Sequence, residues 1–190
     1  MLPARRINTS KERHGPMIFR LSQKLNTKIK AGILEAMPLD DNLYADWSCH
    51  LFTADRTQYV ILSNTKSLYS CVMYGRGLMN DRIFVARVLT SIREFMEDDG
   101  QAFVHQRFVV PASGTICFAK ALNRSVTGSM NDLINNAKAW LEENDVSPHD
   151  VGFKLNEVLL SALATDRAYG RPSESFKKLA GARDVIEGDG

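Results

Sequence analysis

Ser48-Cys-His-Leu-Phe-Thr-Ala-Asp-Arg-Thr-Gln-Tyr-Val-Ile-Leu-Ser63 contains two strand-like runs separated by a short turn. The pattern predicts a β-hairpin with strands at Ser48–Thr53 and Gln58–Ser63. The run Tyr59–Leu62 is apolar at every position, which is typical of a strand buried on both faces. A second turn precedes another strand-like run, Leu68–Tyr74, so a three-stranded meander is predicted.

Other strands and helices are predicted on both sides of this meander. Further strands are predicted at Met17–Leu21, Phe103–Val110 and Thr115–Ala121. Helix starts are predicted, from their capping residues, at Ser22, Asn80 or Asp81, Ser129 and Ser147. The apolar spacing of the last helix continues to Leu163. Strands clustered early and helices clustered late predict an α+β fold, in which helices pack on one face of a mostly antiparallel sheet in a single domain.

Composition and charge indicate an ordinary globular chain. Its 190 residues are 44% apolar and 24% charged, with a net charge of +2, which is too near neutrality to favour nucleic acid or a membrane. Residues 1–30 carry eight Lys or Arg and one acid. We expect residues 1–16 to be a disordered basic leader, residues 17–165 to form the domain, and residues 166–190 to be a flexible C-terminal tail. The basic leader is a candidate phosphate-binding element, although a solvated tail is the commoner outcome.

The cysteines and the hydropathy indicate the compartment. Cys49, Cys71 and Cys117 are widely spaced and form no CxxC or Cys/His ligand pattern, so neither a metal site nor a cofactor is expected. No run approaches the roughly 18–20 apolar residues that span a bilayer, and no signal peptide is apparent. We therefore expect a cytoplasmic protein with reduced cysteines and no membrane contact.

A polar run, Asn123-Arg-Ser-Val-Thr-Gly-Ser-Met-Asn-Asp132, lies between a predicted strand and an amphipathic helix. Its second half has the S-x-x-D form of a capping box, which predicts a helix start at Ser129 and explains Asp132 without any function. An arginine before a turn and a helix N-terminus can also bind phosphate or carboxylate groups. The candidate anion- or partner-binding residues are Asn123, Arg124, Ser125, Ser129, Asn131, Asp132 and Trp47. The commoner outcome is that Asn123 and Arg124 tie the loop to the strands, and that Trp47 is a core residue.

The same run resembles the signature N-R-S-x-x-G-S-M-N-D of a bacterial and phage domain family of unknown function. Three other segments resemble parts of that family: its usual start (Met17–Leu25), its tryptophan segment (Asp46-Trp47) and its central hairpin (Tyr59–Leu68). The resemblance covers about residues 17–163. It implies a phage or mobile-element setting and supplies no catalytic residues.

Two other groups of residues are candidates for function. Arg76, Arg82, Arg87 and Arg93 make the region of the second predicted helix basic, as a nucleic-acid-facing surface or simply as a solvated helix face. Few aromatic residues lie between them, so base stacking is not expected. Cys49 and His50 are adjacent on a strand and must point to opposite faces, which argues against a thiol–imidazole nucleophile.

These observations favour a non-enzymatic binding module acting on a protein or nucleic-acid partner. The oligomeric state is open, and no GxSxG or HExxH motif is present. The alternative is an enzyme or sensor that binds a phosphorylated small molecule or nucleotide at the Asn123–Asp132 loop. That alternative predicts a pocket where this loop meets Trp47.

Overall fold

The computed structural model describes residues 15–143, 146–165 and 168–179. Its strands are β1 (Met17–Leu21), β2 (Asp46–Ala54), β3 (Thr57–Asn64), β4 (Ser70–Tyr74), β5 (Ile116–Ala119), β6 (Leu160–Thr165) and β7 (Ala168–Gly170). Its helices are α1 (Gln23–Ile29), α2 (Asp81–Asp98), α3 (102–112), α4 (Arg124–Glu143), α5 (Pro148–Asn156) and α6 (Pro172–Lys178). A 3₁₀ turn, Leu43–Ala45, leads into β2. The class is α+β, as predicted.

The main sheet has the strand order β4-β3-β2-β1-β5. The predicted meander is confirmed, since β2 pairs antiparallel with β3, and β3 pairs antiparallel with β4. β1 is parallel to both β2 and β5, so the sheet is mixed rather than mostly antiparallel. Parallel neighbouring strands require a crossover connection. The direction of β1 therefore depends on the path of the segments that connect it to its neighbours, and not on its own apolar pattern.

Both faces of the sheet are covered. Alternate residues of β2 and β3, such as Trp47 and Leu62, pack in one core with α1, α2, α3 and α6. The residues between them, such as Phe52 and Ile61, pack in a second core with α4 and β6. We expected helices on one face only. The run Tyr59–Leu62, apolar at every position, in fact needs cover on both.

Helix α5 lies against the exposed edge of β4. A Cβ on Gly152 would lie 3.3 Å from Cys71 Cα and 2.6 Å from the Phe95 ring, so only glycine allows this approach. The Asn156 side chain accepts a hydrogen bond from Ser70 N–H at 2.7 Å and donates one to Ser70 O at 3.0 Å. The helix therefore protects an edge that would otherwise be free to pair with another strand.

Two element predictions are wrong. The predicted strand Phe103–Val110 is part of α3, whose middle, His105–Val109, is π-helical. β-branched residues imitate a strand there, but the buried positions His105, Val109 and Ala112 have helical spacing. The last predicted helix ends at Asn156 instead of continuing to Leu163, because the residues from 160 onwards pair with β7.

The structured domain extends beyond residue 165. We expected a flexible tail from 166, but residues 168–179 include β7 and α6, and Phe176 is fully buried. The Phe176 ring stacks on Tyr69, with centroids 4.1 Å apart, and meets Tyr44 edge-on. Residues 1–14 of the predicted leader and residues 180–190 of the predicted tail lie outside the described residues.

Candidate functional site

The Asn123–Asp132 run forms the first turns of α4. Asn123 is the capping residue, because its Oδ1 accepts a hydrogen bond from Val126 N–H at 2.9 Å. Ser129 lies inside the helix, where its hydroxyl donates to Ser125 O at 3.1 Å. The predicted capping residue, Ser129, therefore lies six residues after the observed one. Asparagine is among the best N-cap residues, and a serine within a helix can bond the carbonyl four residues back instead.

The helix distributes the candidate anion-binding residues around its surface. Arg124 and Ser125 are exposed at its start, whereas Ser129 is buried. Asn131 lines the cavity between α1, β2 and α4 that is described below, whereas Asp132 lines a different cavity, beside Tyr169. These side chains therefore do not converge on one ligand position.

Trp47 is part of the core rather than of a pocket. It is fully buried on the sheet face opposite α4, and its Nε1 donates to Tyr44 O at 2.9 Å. Its ring lies 6.5 Å from that of Phe176, centroid to centroid. The structure does not bring Trp47 to the polar run.

Two of the four candidate arginines lie together. Arg87 on α2 donates to Arg76 O at 2.6 Å and to Tyr74 O at 2.5 Å, which fixes the loop after β4 against the helix. Arg82 is exposed in the first turn of α2, and Arg93 lies 3.9 Å from Glu94 with both side chains about half exposed. Of these four arginines, only Arg76 and Arg87 are thus in contact.

We call the open cavity beside this loop the arginine recess. Its volume is about 730 Å³, and it is lined by Lys28, Arg56, Thr57, Gln58, Tyr74, Arg76 and Gly77. Three cations and no acid are among the residues that the structure describes in this lining. Lys28 donates to Gln58 Oε1 at 2.7 Å, and Arg56 is in the hairpin turn with a φ of 61°. The recess is therefore a concentrated positive surface.

An aromatic stack ends at the arginine recess. The rings of Phe52 and Tyr59 are 5.6 Å apart, and those of Tyr59 and Tyr74 are 5.4 Å apart, with nearly parallel planes in both pairs. Tyr74 is 51% exposed. The stack holds one flat ring at the surface beside the cations.

We call a second cavity, between α1, β2 and α4, the histidine recess. Its volume is about 540 Å³, and it is lined by Ser22, Gln23, Lys24, His50, Leu51, Phe52, Thr53, Gln58, Asn131, Ile134, Asn135 and Lys138. His50 is only 8% exposed and forms no hydrogen bond with another described residue. Burial lowers the pKa of His50 below its ordinary value, so the imidazole is neutral at pH 7.

The described residues show little that is suited to covalent or metal chemistry. Cys49 and Cys71 are buried in the core opposite His50, and burial raises the pKa of both thiols, to about 12 for Cys71. These thiols are therefore protonated and inert at pH 7. Within the described ranges, no group of three or more His, Cys, Asp and Glu side chains could hold a metal ion. No helix there is both long and apolar enough to cross a membrane.

A buried ion pair is part of the structure and not of a site. Arg20 and Asp46 have side chains that are 0% exposed, and Arg20 Nε and Nη2 each donate to an Asp46 carboxylate oxygen at 2.7 Å. The other guanidinium N–H groups donate to the carbonyl oxygens of Met37, Pro38 and Lys120. The sequence offered no signal for this pair, because the partners are 26 residues apart on different strands.

Comparison with known proteins identifies the family. The model of the family described as Domain of unknown function (DUF6933) matches residues 18–175. The chain belongs to this family. The match runs from β1 into α6 and includes the residues that line both recesses. No curated protein matches the chain, and no solved structure matches it.

Proposed function

We propose that this protein is a non-enzymatic module that binds nucleic acid at the arginine recess. The observation that carries the proposal is that the described residues of one concave surface include three cations and a half-exposed tyrosine but no acid. The sequence resemblance suggests a phage or mobile-element setting, and the proposal places the protein in the cytoplasm.

The charges of the recess suit a phosphate backbone. Lys28, Arg56 and Arg76 come from α1, the hairpin turn and the loop after β4, and none of them forms an ion pair with another described residue. Unpaired cations on separate elements can contact successive phosphates, and their guanidinium groups can bind phosphate oxygens in pairs. Such contacts release counterions, so binding must weaken steeply with salt.

Tyr74 supplies a surface for a base. Stacking of a base on an exposed aromatic ring is worth about 1–3 kcal/mol and tolerates any sequence. Base stacking was not expected from the arginine pattern alone. Because the stack beneath Tyr74 fixes the orientation of its ring, we expect a single strand to bind better than a duplex.

The test is fluorescence anisotropy with labelled single-stranded and duplex oligonucleotides of about 20 nucleotides. We expect single-strand binding that weakens with salt, and a further loss of about tenfold or more in the double variant Arg56→Gln/Arg76→Gln. Tyr74→Ala should weaken binding, while Tyr169→Ala, at a tyrosine that is 62% exposed on β7, should not. No binding at low salt would reject nucleic acid and leave a protein as the partner.

The second candidate function is that of a sensor of a phosphorylated small molecule. Asn131 is the residue of the polar run that favours it, because Asn131 lines the histidine recess. Arg124 and Ser125 lie at the exposed start of α4, and Asp132 lines another recess. The candidate site for such a ligand is therefore the histidine recess and not the Asn123–Asp132 run.

A further inference from the structure

We infer that the histidine recess is a binding site for a small phosphorylated molecule, held by Lys24, Lys138 and the buried His50. This inference names the site and the ligand class of the second candidate function. It does not depend on the arginine recess or on nucleic-acid binding, although Gln58 lies between the two cavities.

His50 is the first reason. The other buried polar side chains near it on this face of the sheet are satisfied: Ser48 Oγ is 2.9 Å from Thr65 Oγ1, and Ser63 Oγ is 2.6 Å from Ser70 Oγ. His50, two residues beyond Ser48, is more than nine-tenths buried and has no described partner. The buried side-chain atoms without a partner in the described residues are Asn26 Oδ1 and His105 Nδ1, and they do not include the His50 ring nitrogens. The imidazole nitrogens therefore open onto the recess, where a ligand atom can bond to them.

The charge of the recess is the second reason. Lys24 lies in the first turn of α1 and Lys138 lies on α4, and no acid is among the described residues of the lining. Neither lysine forms an ion pair with another described residue. The helix dipole also disfavours a cation in the first turn of a helix, so Lys24 does not stabilise α1 through its charge. Two cations facing a shared cavity favour an anion, and lysine is a common phosphate ligand.

The remaining lining indicates an organic body rather than a free ion. Gln23, Asn131 and Asn135 offer amide donors and acceptors, while Phe52 and Ile134 form apolar wall. Small-molecule sites commonly have volumes of about 300–1,000 Å³ and combine apolar walls with a few polar groups. The histidine recess, at about 540 Å³, has this size and this lining.

The test uses the full chain with adenosine monophosphate, inorganic phosphate and adenosine as probes. Calorimetry measures affinity, and NMR follows the imidazole signals of the four histidines. We expect adenosine monophosphate to bind, phosphate to bind more weakly, adenosine to bind least, and the His50 signals to shift. If adenosine binds as well as its monophosphate, or if the His50 signals do not move, the inference is overturned.

Variants that remove one lysine charge at a time distinguish a specific site from general electrostatic attraction between the protein and the ligand. Lys24→Gln and Lys138→Gln should each weaken adenosine monophosphate binding about tenfold, because each removes one charge-assisted contact. Lys66→Gln, at an exposed lysine outside the recess, should leave the affinity unchanged. An equal loss in all three variants would contradict a specific site.

A second pair of variants changes an amide to a carboxylate at two positions on α4. Asn131→Asp puts a carboxylate into the wall of the recess at an exposed position and should abolish binding. Asn136→Asp adds the same charge on the same helix, but in the lining of a third cavity, which Asp132 and Tyr169 also line, and should retain binding. Arg56→Gln/Arg76→Gln should also retain adenosine monophosphate binding, so loss of one function does not imply loss of the other.

Discussion

Two buried polar regions share one face of the central sheet and differ in how fully they are satisfied. At one end, the guanidinium of Arg20 uses every N–H group, and Ser48 and Ser63 each have a hydroxyl partner. We call this the closed region. Further along β2, His50 is 8% exposed and has no described partner, and two lysines that form no ion pair with another described residue line the same cavity.

The difference separates polar groups that serve the fold from polar groups that serve a ligand. A buried polar atom without a partner costs free energy. In the closed region that cost is offset by partners within the chain. His50 has no such partner among the described residues, and its ring nitrogens open onto the histidine recess, as in a binding site before its ligand arrives. The predictions below test this contrast, from the largest expected effect to the smallest.

The largest effect is expected from Asp46→Asn. This change leaves the Arg20 charge buried without its counterion, so the free energy of unfolding should fall by about 3–5 kcal/mol. Urea denaturation measures the change. Glu94→Gln, which affects an exposed pair 3.9 Å apart, is the control and should alter stability by less than about 0.5 kcal/mol. Similar values for the two variants would show that the closed region is not held by this ion pair.

The next effect is expected from Ser48→Ala, because it leaves the hydroxyl of buried Thr65 without its partner. The free energy of unfolding should fall by about 1–3 kcal/mol, measured by urea denaturation. Ser173→Ala removes a hydroxyl that bonds Glu157 at the surface and should cost less than about 0.5 kcal/mol. Thr65→Val combined with Ser48→Ala should recover part of the loss, since neither partner then remains unsatisfied.

The pH dependence of the free energy of unfolding should show that His50 is buried as a neutral imidazole. Its folded-state pKa is lowered from the ordinary value of 6.5, so below about pH 6.5 the unfolded chain binds a proton that the folded chain does not. Stability must therefore fall as the pH decreases through this range. Burial also lowers the pKa of His105, which adds a decrease of the same sign. His50→Leu should make thermal stability less dependent on pH between about 7 and 5, and an unchanged profile would contradict the burial of a neutral imidazole.

The smallest effect on stability at pH 7 is expected from the same His50→Leu variant. Since His50 has no partner to lose, an apolar side chain of similar size should change the free energy of unfolding by less than about 1 kcal/mol in either direction. Binding of adenosine monophosphate should nevertheless be lost. A loss of stability as large as that of Ser48→Ala would mean that His50 belongs with the closed region.

The sequence predicted the parts of the fold that depend on local signals. The β2–β3 hairpin, the caps Ser22, Asn80 and Ser147, and the membership of a family of unknown function were all found from short patterns. Each of these depends on residues close together in the chain, where turn geometry and capping hydrogen bonds act directly.

Local patterns failed where two structures fit the same residues. The segment 103–110 contains enough β-branched and aromatic residues for a strand, but its buried positions follow a helical period. Ser129 satisfied the capping pattern, yet Asn123 caps the helix and the whole run becomes helical. In both cases packing against the sheet chose between two locally acceptable conformations.

The candidate sites show the same division. Arg76 was recognised as a basic residue, but its position beside Lys28, Arg56 and Tyr74 depends on four separate elements. The strand pattern predicted that His50 faces away from Cys49. Lys24 and Lys138 line the same cavity as His50 only because α1 and α4 pack beside β2.

The amino-acid order alone established an α+β chain with a central meander, its main capping residues and its family. The tertiary structure decided the direction of β1, the helical state of 102–112, the place of Phe176 in the core and the two recesses. Alternation, capping and turn chemistry are properties of neighbouring residues. Parallel pairing, burial of a distant aromatic ring and the meeting of unpaired cations are long-range contacts, which the chain forms only when the sheet is covered on both faces.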